Sequence, residues 1–487
     1  MASIEEIRKT RLEKLEYLKS QGIQPYPSST ERNTSNIKAI DDFDKLAGKE
    51  IILAGRIMSE RAQGGLVFFN IYDGTSSFQA LIKKDEIEEA SFDLFIKTAD
   101  IGDFVEIKGD LFLTKREEKT LKVKEWKMLA KSLMPLPEKW HGLKDVEERF
   151  RKRYLDILSS PDVRRRFEIR SLMVKRIREF YDRAGYMEVE TPVLQPLAGG
   201  ATALPFKTRH NALETDFYLT IAQELYLKKL IVAGFNKVYE IGRKFRNEGI
   251  DVTHNPEFTM LESNEAYADA AGQMKFIEEL FREVTRNVIG KPEVVYGGNT
   301  VNFDKPFAVK TFFGLIREHS GLNNPEQASN DELKAEALNM GVKMENRNTR
   351  QAFLDGIYKK AVRPKLIQPT FIIDYPVEFN PFAKRKHDNP SLIDRFQLIA
   401  GGLELVNAFS ELNNPIDQKE RYEDEERKKR EGEPEISPSD ADYLEAMEHG
   451  MPPNGGIGIG LDRFAMLLTD VKNIKEVILF PTLKPKG

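Results

Sequence analysis

The chain has 487 residues, more than one ordinary domain, so we expect two or three compact units, each with its own core. Its composition, 40% hydrophobic and 31% charged, is globular, and the lack of cysteine excludes disulfides, thiolate catalysis and cysteine-bound zinc. A formal charge of −4 argues against a surface that coats nucleic acid, and the sequence has neither a membrane span nor a signal-peptide core.

The first predicted element is an amphipathic helix at residues 3–21, which Gly22 ends. Its apolar residues, Ile4, Ile7, Leu12, Leu15 and Leu18, recur at helical spacing among basic ones. Because charged helix faces are usually solvated, we interpret it as a helix that docks on its own protein, with a direct RNA contact as the alternative.

Residues 50–132 contain short runs typical of β-strands, separated by Gly, Asp and charged turns. The runs are IILAGRIMS, VFFNIYD, SFQALI, DFVEIKGDLFLT and LKVKEWKML. They predict a small barrel of the OB type, a fold often used for single-stranded nucleic acid. Adjacent strand residues point to opposite faces, and we predict that Phe68 points outward and Phe69 inward.

The prolines and glycine of KSLMPLPEKWHGLKD then predict a linker. Beyond it, VEERFRKRYLDIL and DVRRRFEIRSLMVKRIREFYDRAG are predicted to be helices with basic faces. The remaining strands and helices do not alternate regularly, which favours an α+β fold with an antiparallel sheet flanked by helices. A mixed-charge run at residues 418–434 predicts an exposed helix and loop.

A short arm at residues 245–265, FRNEGIDVTHNPEFTMLESNE, concentrates charged and aromatic side chains. A β-rich run precedes its polar loop and another follows, which predicts a hairpin that projects Arg246, Glu248, His254 and Phe258 toward one cavity. Arginine can neutralise a phosphate, phenylalanine can stack on a purine, and acids can bind ribose, an amino group or magnesium.

A second unusual stretch, GGIGIGLDRFAML, spans residues 455–467. The dinucleotide pattern G-x-G-x-x-G would need glycine where Leu461 stands, and no βαβ unit surrounds the stretch. We therefore predict a glycine-rich strand packed tightly against a helix, with Arg463 at the helix start entering the same site as Arg246.

Taken together, these stretches resemble the motifs of class II aminoacyl-tRNA synthetases. GYMEVETPVLQP, with Pro192, is similar to motif 1, FRNEGIDVTHNPEFTMLE to motif 2, and GIGIGLDRF to motif 3. Nearly the whole chain resembles the bacterial type of lysyl-tRNA synthetase. The phrases that carry this resemblance are LPEKWHGLKD, RYLDIL, HNALETDFYLTIAQELYLKKL and NAFSELNNPIDQ.

The resemblance implies an N-terminal helix and OB-fold anticodon-binding domain at residues 1–135, a linker or hinge at 136–164, and a class II catalytic domain at 165–487. Such enzymes activate L-lysine with ATP to lysyl-adenylate, release pyrophosphate, and transfer the lysyl group to the 3′ end of tRNA(Lys), releasing AMP. The implied partners are ATP, L-lysine and tRNA(Lys), with no membrane and no DNA. The implied state is a cytoplasmic homodimer with Pro192 at its interface.

The resemblance also implies which residues bind ATP. Arg246 would bind the α-phosphate and the lysine carboxylate, Arg463 the γ-phosphate, and these two would be the catalytic residues. Phe258 would stack on adenine opposite Arg463. The rest of the nucleotide would be held by Glu248, His254 and Asn255.

A magnesium ion is the expected cofactor. The six histidines show no paired metal spacing, so a metal would be a hard cation bound by oxygen ligands. By resemblance Glu404 would bind Mg²⁺, and Gln397 stands where a second glutamate is common. An amide oxygen can still coordinate, but it adds no negative charge.

Selecting lysine requires recognition at both ends of a four-carbon stem. The implied residues are Gly200 and Glu224 at the α-amino group, Arg246 and Asn407 at the carboxylate, Phe409 along the stem, and Glu262 and Glu411 at the ε-ammonium. Two carboxylates around one buried ammonium favour lysine, because a shorter or uncharged side chain would leave them unpaired.

Several positions depart from the family pattern. Asn264 replaces a usual tyrosine at the stem, which loosens lysine binding, admits a larger analogue, or is compensated by a neighbour. Gln223 replaces a usual proline, and Leu204 a frequent basic residue. These changes put amino-acid affinity and metal dependence in question more than the class of reaction.

In the barrel, Arg61, Phe68 and Gln79 match the positions at which the family reads the anticodon. Stacking on Phe68 with hydrogen bonds from Gln79 would suit a splayed uridine.

Four alternatives remain open. An aspartyl or asparaginyl enzyme of the same class would want Arg or Lys where Glu262 and Glu411 stand. A paralogue that modifies a protein would lack the N-terminal barrel. A synthetase-like enzyme retuned at Asn264 would prefer another amine, and a non-catalytic RNA-binding paralogue would not need Arg246, Glu404 and Arg463.

Overall fold

The protein, seen in a computed structural model that describes residues 3–137, 143–343, 349–430 and 437–486, divides into two compact units. The first unit is Met1–Leu143 and the second is Lys144–Gly487. Residues 138–142 of the predicted linker lie outside the described residues. In the part of the chain that is described, no helix combines the length and the apolar character needed to cross a membrane.

The first unit is a closed five-stranded barrel with four helices among its described residues. Its elements are α1 (Ile4–Ser20), α2 (Asn36–Asp41), α3 (Phe43–Leu46), β1 (Glu50–Gln63), β2 (Leu66–Tyr72), β3 (Ser77–Lys83), α4 (Glu89–Thr98), β4 (Phe104–Leu113) and β5 (Lys119–Ala130). The strand order is β1-β2-β3-β5-β4, with β3 and β5 parallel and β4 pairing back to β1. The prediction of an OB-type barrel is confirmed.

Strand β2 alternates between the barrel interior and its outer surface. Val67, Phe69 and Ile71 are buried, and the Phe69 ring centre lies 5.1 Å from that of Phe95 on α4. Phe68, between them, is half-buried on the outer face. The predicted directions of the two phenylalanines are therefore confirmed.

Helix α1 packs on its own unit, as predicted. Ser3 and Glu6 form a capping box at its start, and Gly22, with φ of 74°, follows its end. Leu18 is fully buried in the barrel core, and the buried Arg11 donates to the carbonyl oxygens of residues 101, 132 and 134.

The second unit is built on an eight-stranded sheet. Its elements up to the centre of the sheet are α5 (Val146–Arg151), α6 (Arg153–Ser159), α7 (Pro161–Arg183), β6 (Met187–Glu188), β7 (Leu194–Gln195), β8 (Lys207–His210), β9 (Thr215–Leu219), α8 (Glu224–Val232), β10 (Lys237–Phe245), β11 (Glu257–Ala266) and α9 (Ala270–Ile289). The later elements are β12 (Glu293–Tyr296), β13 (Asn299–Asn302), β14 (Ala308–Thr311), α10 (Phe312–His319), α11 (Asn330–Asn339), α12 (Arg350–Ile357), β15 (Thr370–Ile373), β16 (Tyr375–Pro376), β17 (Leu392–Ile393), β18 (Arg395–Ala400), β19 (Leu403–Ser410), α13 (Pro415–Arg430), α14 (Ala441–Glu448), β20 (Asn454–Gly460) and α15 (Leu461–Leu468).

The sheet runs in the order β14-β15-β18-β19-β20-β11-β10-β6. Its interior pairs are antiparallel, and the two outermost pairs, β14 with β15 and β10 with β6, are parallel. This confirms the predicted α+β class. The predicted hairpin is the antiparallel pair of β10 and β11, and the predicted glycine-rich strand and helix are β20 and α15.

One face of this sheet is apolar and covered by helices. Leu261 on β11, Val406 on β19, and Ile457 and Ile459 on β20 are buried in one core with residues of α7, α9 and α15. Successive residues of a strand point to opposite faces, so the residues next to these apolar ones lie on the other face of the sheet. That face carries the polar side chains.

Residues 146–159, within the predicted linker, are helical and belong to the second unit. The Arg153 side chain on α6 is fully buried and bonds to Asp156 at 2.7 Å, and it also donates to the carbonyl oxygens of Lys475 and Leu479. These bonds attach the helix to the C-terminal segment of the same unit.

The prediction that residues 418–434 form an exposed helix and loop was wrong for one face of α13. Gln418, Arg421, Tyr422 and Glu425 are buried at helical spacing, and Arg421 donates to the carbonyl oxygen of Ala383 at 2.7 Å. The charges concealed this inward face, because arginine and glutamate are seldom buried without partners. The loop that would follow, residues 431–434, lies outside the described residues.

Candidate active site

The polar face of the sheet carries two rows of residues that run across the strands. The first row joins Gln397 on β18, Asn407 on β19, Gly458 on β20, Glu262 on β11 and Glu240 on β10. The second row joins Arg395, Phe409, Gly456 and Asn264 in the same strand order. Because directly opposed residues share a face, strand register alone brings together residues far apart in sequence.

The glycines of β20 keep the centre of this face open. A Cβ on Gly456 would overlap Glu411 Oε1, and a Cβ on Gly458 would lie 3.3 Å from Met260 Cε. The two isoleucines that alternate with them face the helix-covered core. The repeat G-I-G-I-G therefore has one residue type for each side of the strand.

A cavity of about 400 Å³ lies over the two rows. Among the residues implied by the sequence, it is lined by Gly200, Glu224, Arg246, Glu262, Asn264, Gln397, Glu404, Asn407, Phe409 and Glu411. The five other nucleotide-site residues, Glu248, His254, Asn255, Phe258 and Arg463, are not among its lining residues and lie on the β10–β11 hairpin and at the start of α15.

Arg246 enters the cavity just beyond the end of β10. Its Cζ lies 5.1 Å from the ring centre of Phe258, and its Nη2 donates to the carbonyl oxygen of Ile221 at 3.4 Å. Its buried Nε has no partner among the described residues. Burial lowers the pKa of Arg246, and Glu248 and Glu262 oppose that shift, so the guanidinium stays charged.

Arg463, in the first turn of α15, joins the hairpin to β19. Its Nη1 donates to the carbonyl oxygen of Glu404 at 3.3 Å, and its Nη2 lies 3.0 Å from His254 Nε2. Arginine can only donate, so His254 Nε2 accepts, and its Nδ1 carries the proton toward Asp251 at 2.8 Å. On the same loop, the Asn255 Nδ2 donates to the carbonyl oxygen of Glu257 at 2.7 Å.

Glu404 is an ionised acid within a group of cations. Burial alone would raise the pKa of Glu404, but Arg463, Arg363 and Arg395 outweigh burial and lower it. Gln397, which also lines the cavity, accepts a hydrogen bond from the Tyr375 hydroxyl at 2.6 Å through its Oε1.

Sequence reasoning missed Arg395, which also lines the cavity. Its Nε donates to Asn407 Oδ1 at 2.8 Å, so it orients the amide implied at the lysine carboxylate. Strand alternation could have identified it, because Arg395 lies two residues before Gln397 on β18 and therefore on the same face.

Three acids, Glu224, Glu262 and Glu411, also line the cavity. Glu262 Oε2 accepts from the backbone N–H of Gln223 at 2.5 Å, and the Gln223 Nε2 donates to Glu240 at 2.5 Å. Glu411 Oε1 accepts from Asn264 Nδ2 at 3.0 Å. Burial, with the neighbouring charge of Glu224, raises the pKa of Glu411, and Lys228 opposes the shift.

A buried lysine, also missed from the sequence, joins two of these acids. Lys228 on α8 donates a hydrogen bond to Glu224 Oε1, and its Nζ lies 2.5 Å from Glu411 Oε2 with the geometry of an ion pair. The available signal was its position four residues after Glu224 on one helix face.

The remaining implied residues of the second unit lie on its surface. Pro192 is exposed, and Val193 and Leu194 beside it are 43% and 48% exposed. Leu204 is also exposed.

In the first unit, Arg61, Phe68 and Gln79 share the outer face of the barrel. Arg61 pairs with Phe68 across β1 and β2, and Gln79 pairs with Asn70, two residues further along β2. Arg61 is exposed, and the Gln79 amide lies 2.8 Å from Thr120 Oγ1. A ring with flanking polar groups on an open β-surface can stack on a base and bond to its edge.

Comparisons with known proteins match both units. The family model described as tRNA synthetases class II (D, K and N) matches residues 145–484, and the model described as OB-fold nucleic acid binding domain matches residues 51–129. The lysine–tRNA ligase of Carboxydothermus hydrogenoformans is 46% identical over 483 residues, covering 99% of this chain and 99% of the relative. The lysine–tRNA ligase of Thermoanaerobacter sp. (strain X514) is 46% identical over 99% of this chain and 97% of the relative, and that of Pelotomaculum thermopropionicum is 45% identical over 99% and 96%.

Proposed function

Since the chain belongs to the class II tRNA synthetase family and is similar over its full length to lysine–tRNA ligases, we propose that the cavity over its sheet forms lysyl-adenylate and charges tRNA(Lys). Its activity is the ATP-dependent ligation of lysine to tRNA. The observation that carries the assignment of the site is that the Arg246 cation and the acids Glu224, Glu262 and Glu411 line one cavity.

The first chemical step is attack of the lysine carboxylate on the α-phosphorus of ATP. An oxygen–phosphorus bond forms to the carboxylate, and the bond from that phosphorus to the pyrophosphate oxygen breaks. The nucleophile is already an anion, so the step needs charge neutralisation and alignment rather than a general base. Arg246 would neutralise the α-phosphate and the carboxylate, and its buried Nε, which has no hydrogen-bond partner in the described ranges, supports this role.

The hairpin and α15 would hold the rest of ATP. Phe258 would stack on adenine, and Arg463 would bind the γ-phosphate. The remaining contacts would come from Glu248, His254 and Asn255. In the second step, a hydroxyl of the terminal adenosine of tRNA(Lys) attacks the lysyl carbonyl and AMP leaves.

The lysine side chain would lie along Phe409 and reach the acids. Glu224, beside Gly200, would bind the α-amino group, and Glu262 and Glu411 would flank the ε-ammonium beside Asn264. Asn407, oriented by Arg395, would bind the carboxylate side. Unpaired buried acids would penalise any substrate without the second ammonium.

Mg²⁺ fits the oxygen donors of this site. Glu404 offers a carboxylate whose lowered pKa keeps it ionised, and Gln397 offers an amide oxygen. Mg²⁺ is commonly held by one or two carboxylates together with substrate phosphates, and Glu404 would supply such a carboxylate beside ATP. When bound, the ion would neutralise phosphate charge.

The N-terminal unit would read the anticodon through Arg61, Phe68 and Gln79. We further propose that residues 1–135 form this domain and that the catalytic domain, predicted at residues 165–487, also includes the helices at residues 146–159, in a cytoplasmic homodimer. The exposed apolar residues beside Pro192 support that position as part of the dimer interface.

The test is amino-acid-dependent ATP–pyrophosphate exchange with all twenty amino acids, ornithine and bulkier lysine analogues. We expect lysine to be preferred, and Arg246→Ala to abolish exchange while tRNA binding is retained. The matched control is Arg243→Ala on β10, three residues before Arg246, since Arg243 is 46% exposed and pairs at 3.6 Å with Glu257.

Three outcomes would change these assignments. Preference for another amine would mean that Asn264 has changed the amino-acid specificity of the pocket. Absence of exchange in the unsubstituted chain would favour a non-catalytic RNA-binding paralogue. Equal loss of exchange and tRNA binding in Arg246→Ala would make that residue structural.

A further inference from the structure

Lys228 places a cation of the protein itself directly behind the acids of the lysine pocket. Its side chain is 0% exposed and is not among the residues that line the cavity. Its ammonium contacts Glu224 and Glu411, both of which do line it. The rings of Phe382, Phe409 and Tyr443 surround the ammonium, with centres 4.9, 5.5 and 5.8 Å away.

We propose that Lys228 is a positioning residue for lysine recognition, which fixes the separation of Glu224 and Glu411 and favours the ionised form of both for the two ammonium groups of the substrate. The inference rests on the proposed function, because it takes Glu224 and Glu411 as the acids at the α-amino and ε-amino ends.

The contacts of Lys228 leave room for the substrate. Lys228 bonds to Oε1 of Glu224 and pairs with Oε2 of Glu411. The other oxygen of each acid remains for a substrate ammonium, and on Glu411 that oxygen is the one held by Asn264. Each carboxylate can thus pair with one internal and one substrate cation.

Two buried acids without Lys228 would not both stay charged. Burial and the repulsion of Glu224 raise the pKa of Glu411, and Lys228 opposes that shift. A protonated carboxyl is not an ion-pair partner for an ammonium. Loss of the internal cation should therefore raise this pKa further and weaken lysine binding at neutral pH.

The titratable groups around Lys228 come from four parts of the chain. They are Glu224 on α8, Glu411 just after β19, Tyr443 on α14 and Tyr422 on α13. Burial raises the pKa of both tyrosines well above neutrality, so they stay uncharged there. The charge of Glu262 also acts on Glu224. The two glutamates next to Lys228 are therefore the groups whose titration its removal should move.

A fixed separation also gives a length requirement. Helix α8 and the ion pair hold the two acids at one distance, so a diamine must match it to contact both. Ornithine, one methylene shorter, would leave one acid without its substrate cation. Freeing the acids from Lys228 should therefore narrow the preference for lysine over ornithine.

The test is Lys228→Met in the full-length chain, a change that keeps an unbranched stem and removes the charge. In lysine-dependent pyrophosphate exchange we expect the KM for lysine to rise roughly ten- to hundredfold, the loss typical of a charge-assisted hydrogen bond, with the KM for ATP within about twofold. The acidic limb of kcat/KM for lysine should move to higher pH. The control is Lys229→Met, on the same helix but with its ammonium 5.5 Å from the Tyr226 ring centre.

Lys228→Arg is the second variant, because it keeps the charge and changes the geometry. We expect it to leave the acidic limb in place while raising the KM for lysine. The proposal is overturned if Lys228→Met changes neither the acidic limb of the kcat/KM profile nor the KM for lysine. It is also overturned if Lys228→Arg shifts the acidic limb as far as Lys228→Met does. If Lys228→Met does not fold, the arginine variant alone decides. Absence of lysine exchange in the unsubstituted chain would instead refute the proposed function.

Discussion

Gln223 occupies a position beside Glu224 where the family usually carries proline, and its backbone N–H donates to Glu262 at 2.5 Å. Proline has no N–H, so this hydrogen bond exists because of the substitution. Asn264, which replaces a usual tyrosine, likewise donates to Glu411. Each of the two departures therefore supplies a hydrogen bond to an acid of the lysine pocket.

Gln223→Pro should weaken lysine binding. It leaves a buried carboxylate oxygen of Glu262 without its donor, which costs about 1–3 kcal/mol of unfolding free energy. We expect the KM for lysine to rise by roughly tenfold at an unchanged ATP KM, measured by pyrophosphate exchange and thermal unfolding.

The control for this substitution is Gln223→Ala, which keeps the backbone donor and removes only the side-chain bond to Glu240. A lysine KM that rises equally in the alanine variant would show that the side chain of Gln223, and not its N–H, supports the pocket.

Strand β2 offers a matched pair of substitutions at the scale of one element. Phe69→Ala removes a ring that is 1% exposed in the barrel core and should cost about 3–5 kcal/mol of unfolding free energy.

Phe68→Ala, on the outer face, should cost about 1 kcal/mol or less of unfolding free energy. It should weaken tRNA binding and charging, and leave lysine-dependent pyrophosphate exchange unchanged. Denaturant unfolding and tRNA titration separate the two. Similar losses of stability in both variants would contradict the assignment of faces.

Alternation and helical spacing explain why some elements were predictable. The directions of Phe68 and Phe69 followed from strand periodicity, and the glycines of β20 from their regular repeat. Lys228 and α13 were missed for the opposite reason, since charged residues on helices are normally solvated. Their burial depends on partners such as Glu411 and the carbonyl oxygen of Ala383, which come from distant parts of the chain.

At the scale of the whole molecule, each unit has its own hydrophobic core. The barrel core draws on residues from Leu18 to Met128, and the cores of the second unit begin at Met173. The chain length and the order of the motifs indicated more than one unit. The site, however, forms because β18, β19, β20 and β11 are neighbours in the sheet, and this follows from the strand order. No local pattern in the sequence encodes that order.

Ligands should therefore stabilise one unit selectively. At a ligand concentration about a hundredfold above Kd, we expect ATP and lysine together to stabilise the second unit by about 2.7 kcal/mol and so to raise its unfolding temperature. The unfolding temperature of the first unit should not change. Calorimetry with and without ligands measures both, and Phe69→Ala identifies the barrel transition by lowering it. A ligand-induced shift of both transitions by the same amount would show that the units unfold together.

The absence of side chains at Gly456 and Gly458 also affects how resistance to inhibitors of this enzyme could arise. Every missense change from a glycine codon introduces a side chain, and at residue 456 its first carbon would overlap Glu411 Oε1. A compound that rests on the backbone of β20 would thus contact a surface that the target cannot reshape without losing its own amino-acid pocket. Drug resistance should arise instead at neighbouring positions such as Asn264, which pairs with Gly456 across the two strands and carries a side chain that can be exchanged.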